Sequence, residues 1–524
     1  MKKLHVILSL LLVFTMLLAA CQTPAAEEPV DEEPMEEMAD DEEVSEDTSE
    51  VEAPSTYQEA PMLAAMVEAG ELPPVDERLP KNPFIVGPGV LIVEEDMPNW
   101  QSGEYGGELQ MAHRGDFPPD VFIGSNEGYL AGAGIGVTGL QGNVFESFDV
   151  NDDARVFTFK LREGLRWSDG EPVTREDVEF AWNDVLTNTE LYPGGVSGNW
   201  VSPITKNPAT LEFVDDWTFT MTFDDPYGSL LVVMAIKGWV GYTDLVKPAH
   251  YLKEFHKDYA DEAELLAKVE DAGYEGIEGW VNLFNQKDIT NWEAHLEDAI
   301  GFPRLYPWLL SEMTEGALIY ERNPYYYKVD VEGKQLPYID RIVTARVDDV
   351  EMVNVRAIAG QVDFTRESPD VQALPVYREQ EEAGNFTAYI FGNHVNPALI
   401  GFNFESKDEA FKEVANIKEF RQALNMAIDR EEINQTIYFG LMTPSIATPS
   451  TPDVYDVDAA NALLDEIGMT ERDENGFRKT PSGKELKMDF YQAEYLAEHT
   501  TICELLIEYW AELGLNTTME IISA

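Results

Sequence analysis

The chain has 524 residues, of which 98 are acidic and 36 basic, and its formal net charge is −62. This length predicts two or more domains, and 44% hydrophobic residues are enough to form substantial cores. The excess of carboxylates disfavours nucleic acids and anionic membrane surfaces as partners, because both attract Lys and Arg. Two cysteines, Cys21 and Cys503, are too few for a disulfide framework or a cysteine-built metal site.

The first twenty residues have the pattern of a secretory signal. Lys2 and Lys3 precede an apolar run over residues 4–18, which ends in Leu-Ala-Ala immediately before Cys21. A cysteine placed directly after such a cleavage site resembles the bacterial lipobox. We therefore expect residues 1–20 to be a signal peptide and Cys21 to be lipidated, which would anchor an extracytoplasmic protein to the cell membrane. The alternative is an ordinary secreted protein in which this cysteine is incidental.

Residues 21–60 are interpreted as an acidic, disordered tether. Between residues 22 and 53 the chain has fifteen Asp or Glu and neither Lys nor Arg. A segment of this composition repels itself and has too little apolar area to fold, and its flexible reach is on the order of 35 Å. A calcium-sequestering tail is the competing interpretation. The residues beyond 53 still include 83 acidic and 34 basic side chains, so the tether explains only part of the acidity.

The body of the chain alternates predicted strands and helices after a proline-rich stretch at residues 72–83. Alternating Phe157, Phe159 and Leu161 predict a strand over residues 156–161. Thr174 and Asp177 have the spacing of a capping box, and the apolar residues that follow predict an amphipathic helix. Apolar periodicity predicts further elements: a strand at 217–223, helices at 420–428 and 502–513, and a strand at 517–523. The predicted class is mixed α/β.

Several segments of the body carry motifs in a recognisable order. Residues 321–327 read Glu-Arg-Asn-Pro-Tyr-Tyr-Tyr and residues 336–340 read Leu-Pro-Tyr-Ile-Asp. The other motif segments are residues 156–186, 214–227, 247–252, 403, 420–424 and 427–430. Together they resemble the family 5 extracellular solute-binding proteins, the binding components of peptide-type ABC importers. The resemblance covers about residues 72–524 and is specific, because the motifs agree in sequence order.

The resemblance implies a two-lobed, periplasmic-binding-protein-like clamp of type II with a discontinuous first lobe. We assign residues 61–390 to the first lobe and 391–524 to the second. Family members continue past the last helix–glycine–strand unit, so we expect the chain to stop within the second lobe. An acidic residue that pairs with the peptide's N-terminal amine falls in that later part in oligopeptide-binding relatives. It therefore has no counterpart to assign among these 524 residues.

The function implied is capture of oligopeptides between two lobes and delivery to a membrane permease with its ATPase. An oligosaccharide-binding protein of the same family is the main alternative. We expect a monomer with no catalytic residue, cofactor or metal. A lipoprotein hydrolase is a less favoured alternative, because the sequence has no localised catalytic motif. A signalling receptor is another, and only the neighbouring genes would distinguish it from a component of an importer.

Three residues are candidates for ligand contact. Trp200 and Trp280 lie in irregular, glycine-flanked segments, where loop aromatics can stack on a ligand, although core packing is the alternative for each. Asn403 is expected on a strand that enters the hinge region, where it would bind ligand or a neighbouring backbone group. Gly134 to Gly139 fit a G-x-G-x-x-G pattern without a convincing preceding strand, which favours a loop over a dinucleotide site.

Overall fold

The computed structural model describes residues 54–90, 92, 97–132, 139–196, 198–236, 241–369, 371–390, 399–443, 454–493 and 497–522. The predicted signal peptide, Cys21 and residues 22–53 of the tether lie outside these ranges, as do Gly134 and Gly136 of the glycine-rich motif. Among the helices within the ranges, none combines the length and the hydropathy needed to cross a membrane.

The strands of the described residues form five sheets. They are β1 Phe84–Val86, β2 Glu108–Arg114, β3 Leu130–Ala131, β4 Gln141–Gly142, β5 Phe145–Val150, β6 Val156–Leu161, β7 Thr210–Phe213, β8 Thr218–Thr222, β9 Trp308–Met313, β10 Ala317–Arg322, β11 Lys328–Asp330, β12 Arg341–Val347, β13 Lys487–Ala493 and β14 Asn516–Ile522. Two sheets have four strands, ordered β5-β6-β8-β7 and β2-β12-β10-β9. The pairs β1-β11, β3-β4 and β13-β14 form the others.

Helices interleave with these strands, which confirms the mixed α/β class. The α-helices are α1 Pro61–Ala69, α2 Val75–Arg78, α3 Pro119–Ser125, α4 Arg175–Phe180, α5 Leu230–Ile236, α6 Ala249–Leu252, α7 Glu262–Asp271, α8 Trp280–Lys287, α9 Val350–Ile358, α10 Leu374–Gly384, α11 Glu409–Ala415, α12 Lys418–Met426, α13 Arg430–Ile437, α14 Val457–Glu466 and α15 Ala497–Glu512. A π-helix spans Ala181–Leu186, and short 3-10 turns span Gly198–Trp200, Lys253–Phe255, Ile277–Gly279, Glu297–Ala299 and Val371–Ala373.

The antiparallel sheet β5-β6-β8-β7 buries one face against the first hydrophobic core. Phe157, Phe159 and Leu161 of β6 are buried, as their alternation predicts. Phe159 pairs with Phe219 of β8, and their ring centroids are 5.6 Å apart. Burying such a ring stabilises the fold by about 1.5–3 kcal/mol, so the aromatic stripe explains why this sheet forms.

Thr174 begins α4 with the predicted capping box. Its hydroxyl accepts from the Glu176 N–H at 3.2 Å, and Asp177 accepts from the Thr174 N–H at 2.8 Å. The predicted apolar face is buried, but the chain continues beyond Phe180 as a π-helix. Apolar spacing does not distinguish α from π geometry over a single turn, which is why the sequence predicts only a helix.

The second four-stranded sheet is mixed. Its strand β2 runs parallel to β12, with Leu109 opposite Ile342, while β10 pairs antiparallel with both β12 and β9. Met111 and Ile342 are buried in the second core. The strand β2 ends at Arg114, and Gly115 follows with φ +70°. This turn, which favours glycine, directs the chain toward Phe117 and α3.

A third core is formed by residues 410–515. The predicted helices α12 and α15 and the predicted strand β14 are present, with bounds that differ by a few residues. The indole of Trp510 on α15 donates to the Leu424 carbonyl of α12 at 3.1 Å, and its ring stacks on Phe490 of β13 at 5.0 Å. Cys503 on α15 is only half-buried. The lobe boundaries at residues 61, 390 and 391 stay a prediction.

Candidate functional site

A cavity of about 570 Å³ within the described residues is bounded by β13, α15 and the segment that precedes α11. We call it the β13 cavity. Its lining combines aromatic, apolar and hydrogen-bonding side chains. The lining residues that carry the chemistry are Asn403, Lys487, Asp489, Tyr491, Gln492 and His499. A concave surface of this size and composition is typical of small-ligand sites.

The alternation of β13 determines which groups enter the cavity wall. Lys487 and Asp489 are two residues apart on one face of the strand, and their charged groups lie 2.7 Å apart. The Lys487 ammonium, followed by the Thr518 hydroxyl, lowers the pKa of the Asp489 carboxyl, which is therefore ionised at neutral pH. Tyr491 is next on this face and is 65% exposed, so its ring is available to a ligand.

The helix α15 forms another wall of the β13 cavity. His499 and Cys503 are four residues apart and therefore lie on one face of the helix. Burial raises the pKa of the Cys503 thiol, which keeps it protonated at neutral pH. Thr500 donates to the side chain of Gln492 at 3.2 Å and connects α15 to β13. No group of three or more His, Cys, Asp or Glu able to hold a metal occurs in the described part of the chain.

Asn403 lines the β13 cavity, but its backbone is irregular, whereas the sequence predicts a strand there. Its side-chain oxygen accepts the Glu405 N–H at 3.0 Å, and its carbonyl accepts the Ser406 N–H at 3.2 Å. An asparagine side chain that closes a turn in this way competes with strand pairing, which explains the difference. The side chain is exposed at the cavity wall and satisfies a neighbouring backbone group.

Trp200 and Trp280 lie elsewhere. Trp200 is 3% exposed and its ring meets Tyr129 edge-on in the first core. Trp280 is 2% exposed, donates from its indole to Glu190 at 3.2 Å and packs against His256. Neither residue lines the β13 cavity. Trp200 ends a 3-10 turn, whereas Trp280 begins α8, so the irregular segment predicted at Trp280 is wrong. The burial of both rings depends on the tertiary fold, which a short sequence window does not contain.

A second candidate surface, absent from the sequence analysis, lies beside the end of β2. Trp292 is 46% exposed and stacks on Phe122 of α3, with centroids 5.2 Å apart and planes 21° apart. Phe117 packs against both rings, and His295 meets Phe117 edge-on. We call these four residues the aromatic platform. The sequence signal for this surface is a tryptophan within the polar segment Thr290 to Glu293. That signal is weak, because most aromatic residues of the chain belong to the core.

Asp120 holds the platform's helix to a later part of the chain. It is 2% exposed and accepts the N–H groups of Arg366 and Glu367 at 2.8 Å and the hydroxyl of Thr365 at 2.9 Å. A buried carboxylate with three donors fixes α3 in position. The platform therefore presents a supported aromatic face, which suits noncovalent stacking on a sugar or an apolar side chain.

Comparisons with known proteins agree on one family. The family described as "Bacterial extracellular solute-binding proteins, family 5 Middle" matches residues 139–524. The periplasmic alpha-galactoside-binding protein of Rhizobium meliloti (strain 1021) is 27% identical over 466 residues, covering 80% of this chain and 60% of that protein. The chain thus spans about 60% of the length of this curated relative.

Two solved structures have a similar fold. An oligopeptide-binding protein OppA is 29% identical with a TM-score of 0.55, and the match covers 90% of this chain and 72% of that one. The periplasmic binding protein MelB of Agrobacterium fabrum C58, solved in complex with stachyose, is 22% identical with a TM-score of 0.66. That match covers 90% of this chain and 71% of MelB.

Proposed function

Because the chain belongs to the bacterial extracellular solute-binding proteins of family 5, we propose that it captures a solute outside the cytoplasm and delivers it to the permease of an ABC importer. Its fold is the two-lobed clamp of the periplasmic binding proteins. In such a clamp the ligand stabilises the closed state only by binding it more tightly than the open state. The closed, loaded state is the one that a permease would recognise.

The observation that carries the proposal is the family match, and the β13 cavity supports it. The cavity offers ring faces, an amide, a carboxylate and an ammonium within one concave surface. Such groups bind polar solutes reversibly by stacking and hydrogen bonding. This composition supports a binding protein.

We favour an oligosaccharide, of the α-galactoside class, as the solute. A relative named for alpha-galactoside binding and a structural neighbour that holds stachyose both support this choice. The exposed rings of Tyr491 and Trp292 add physical support, because an aromatic face packs against the apolar C–H face of a sugar ring. Asn403 and Asp489 would bind hydroxyl groups.

An oligopeptide is the second candidate, supported by the likeness to an oligopeptide-binding protein at 29% identity. Main-chain hydrogen bonds would hold an extended peptide, and the wide cavity would accept varied side chains. The acidity of the body would further favour cationic peptides.

Isothermal titration calorimetry with α-galactoside oligosaccharides and with a mixed tri- to pentapeptide library separates the two solutes. We expect binding of the sugar, and a Tyr491→Ala variant should weaken it by on the order of tenfold. Tyr389→Ala is the matched control, because Tyr389 is 75% exposed and does not line the β13 cavity. Binding of peptides alone would refute the sugar assignment, and equal losses in both variants would refute the role of the β13 cavity.

The proposed location is the outer face of the cell membrane, to which lipidated Cys21 would anchor the protein through the acidic tether. Lasting attachment of a protein to a membrane needs more than one lipid signal, because a single acyl chain binds only reversibly. Radiolabelled palmitate should be incorporated by the full chain and not by a Cys21→Ser variant. Labelling of that variant would contradict the assignment of Cys21.

A further inference from the structure

A second, much smaller cavity lies behind the aromatic platform. Its volume is about 30 Å³, and its walls include platform residues together with Ser125, Arg304 and Tyr306. Arg304 and Tyr306 are each 3% exposed, and Ser125 is 7% exposed. A positively charged side chain therefore borders a small, interior space.

The guanidinium of Arg304 is only partly satisfied by the protein. Its Nη2 donates to the carbonyls of Ile289 at 3.2 Å and Thr290 at 2.8 Å. Its Nε and Nη1 are buried and meet no acceptor in full hydrogen-bond geometry among the described protein groups, and the guanidinium interacts with the Tyr306 hydroxyl. The charge lies over the rings of Phe302 and Tyr306, at 5.3 and 5.2 Å from their centroids, rather than against a described carboxylate.

The other polar groups of this cavity are also potential donors. The Ser125 hydroxyl is buried without a partner in the described part of the protein, and the Tyr306 hydroxyl, also buried, has the Arg304 guanidinium as its neighbour. Burial, reinforced by the neighbouring Tyr242, raises the pKa of the Tyr306 phenol, so its proton is retained. Burial lowers the pKa of His295, so this ring stays neutral at pH 7. The cavity thus combines one fixed positive charge with two hydroxyl groups, and the amide oxygen of Asn291 and Nδ1 of His295 are buried among its lining residues as well.

The carboxylates that influence Tyr306 and His295 already have partners within the protein. Glu127 approaches Tyr306, but it accepts from Lys328 at 2.8 Å and from Asn143 at 2.9 Å. Asp116 and Glu293 act on His295. A buried charge is costly unless it is paired, and the described side chains do not supply Arg304 with a negative partner.

We propose that this cavity binds a monatomic monovalent anion, chloride under ordinary conditions, held by Arg304 with Tyr306 and Ser125. A space of about 30 Å³ compares with the 10–15 Å³ that one bound water needs, so a monatomic ion fits. An anion accepts from every donor present and neutralises the guanidinium. Water would satisfy hydrogen bonds but leave the charge unpaired.

The proposal is tested first on the unmodified protein, with bromide as the probe. Crystals grown in sodium bromide should show an anomalous peak in hydrogen-bond contact with Nε or Nη1 of Arg304. Thermal unfolding should occur at a higher temperature in sodium chloride than in sodium gluconate at equal ionic strength, rising by about 1–3 °C per tenfold increase in chloride. Absence of a bromide peak together with equal unfolding in both salts would overturn the proposal in favour of bound water.

Variants then assign the effect to the cavity. Arg304→Gln should abolish the difference between chloride and gluconate, whereas Arg155→Gln, a change at an exposed arginine, should retain it. If Arg304→Gln does not fold, Tyr306→Phe removes one donor without removing the ring and should reduce the chloride response several-fold. A full chloride response in Tyr306→Phe and Arg304→Gln would place the effect elsewhere and refute the site.

Discussion

Lys247 and Asp288 form an ion pair in the interior of the protein. The Lys247 ammonium lies 2.7 and 2.8 Å from the two carboxylate oxygens, and the side chains are only 4% and 9% exposed. Burial alone would lower the pKa of Lys247, but Asp288 together with Tyr192 and Asp244 outweighs burial and raises the pKa. This ion pair stabilises the fold only while both partners are present, because one buried charge without the other has no opposite charge to compensate for its lost hydration.

We therefore expect Lys247→Met to lower the free energy of unfolding by about 3–5 kcal/mol, since it leaves Asp288 buried and unpaired. The double variant Lys247→Met with Asp288→Leu should regain much of that loss, because it removes both charges. Urea denaturation of the two single variants and the double variant measures the coupling. Additive losses in the double variant would show that the two side chains act independently.

Because His113 is buried, we expect the folded protein to lose stability in mild acid. It is 1% exposed, and its Nδ1 lies 2.7 Å from the Thr344 hydroxyl. Burial, followed by the charge of Arg346, lowers its pKa to about 4. The unfolded chain, with a pKa near 6.5, binds this proton more readily than the folded protein. The contribution of His113 is therefore present above pH 6.5 and is lost as the pH falls toward 4.

The charged side chains that act on His113 are Arg346, Asp116 and Asp120, and the titratable ring of His295 acts on it as well. Between pH 7 and 4.5 the proton linkage of His113 amounts to about 2 kcal/mol of unfolding free energy. A His113→Gln variant should lose correspondingly less stability over that interval than the unmodified protein. Parallel urea titrations at the two pH values test this, and identical losses would mean that His113 does not titrate as described.

At the scale of single elements, α4 depends on its first residue. Thr174→Ala removes the hydroxyl that accepts from the Glu176 N–H, and we expect a loss of about 1 kcal/mol. Thr174→Ser is the matched control, since it keeps the hydroxyl and should stay close to the unmodified protein. The midpoint of chemical denaturation measures both. A serine variant as unstable as the alanine variant would assign the effect to the lost methyl group instead.

Local elements were predictable because their signals are local. The stripe of Phe157, Phe159 and Leu161 and the Thr174 cap predict β6 and α4 from within a few residues. The candidate site was less predictable, because exposure depends on the rest of the fold. Trp200 and Trp280 became core residues, whereas Trp292 was left exposed on the aromatic platform. Only the three-dimensional packing distinguishes these tryptophans.

Across the whole molecule, two four-stranded sheets and a separate core at residues 410–515 are linked in one chain, as the resemblance to a two-lobed clamp predicts. The β13 cavity lies in the latter region and the aromatic platform in the former. The two surfaces therefore belong to different parts of the chain.

The acidity is a property of the whole molecule, and it predicts a general salt dependence. The residues beyond 53 contain 83 acidic and 34 basic side chains, whose repulsion opposes the compact state. Raising sodium gluconate from about 20 mM to about 0.5 M shortens the screening length to roughly 4 Å, so the urea midpoint should rise. A protein lacking residues 1–53 should respond equally, because the repulsion arises within the body. If the response disappears with residues 1–53, the fifteen carboxylates of the tether are its source, and the acidic surface of the body is already compensated by its own ion pairs.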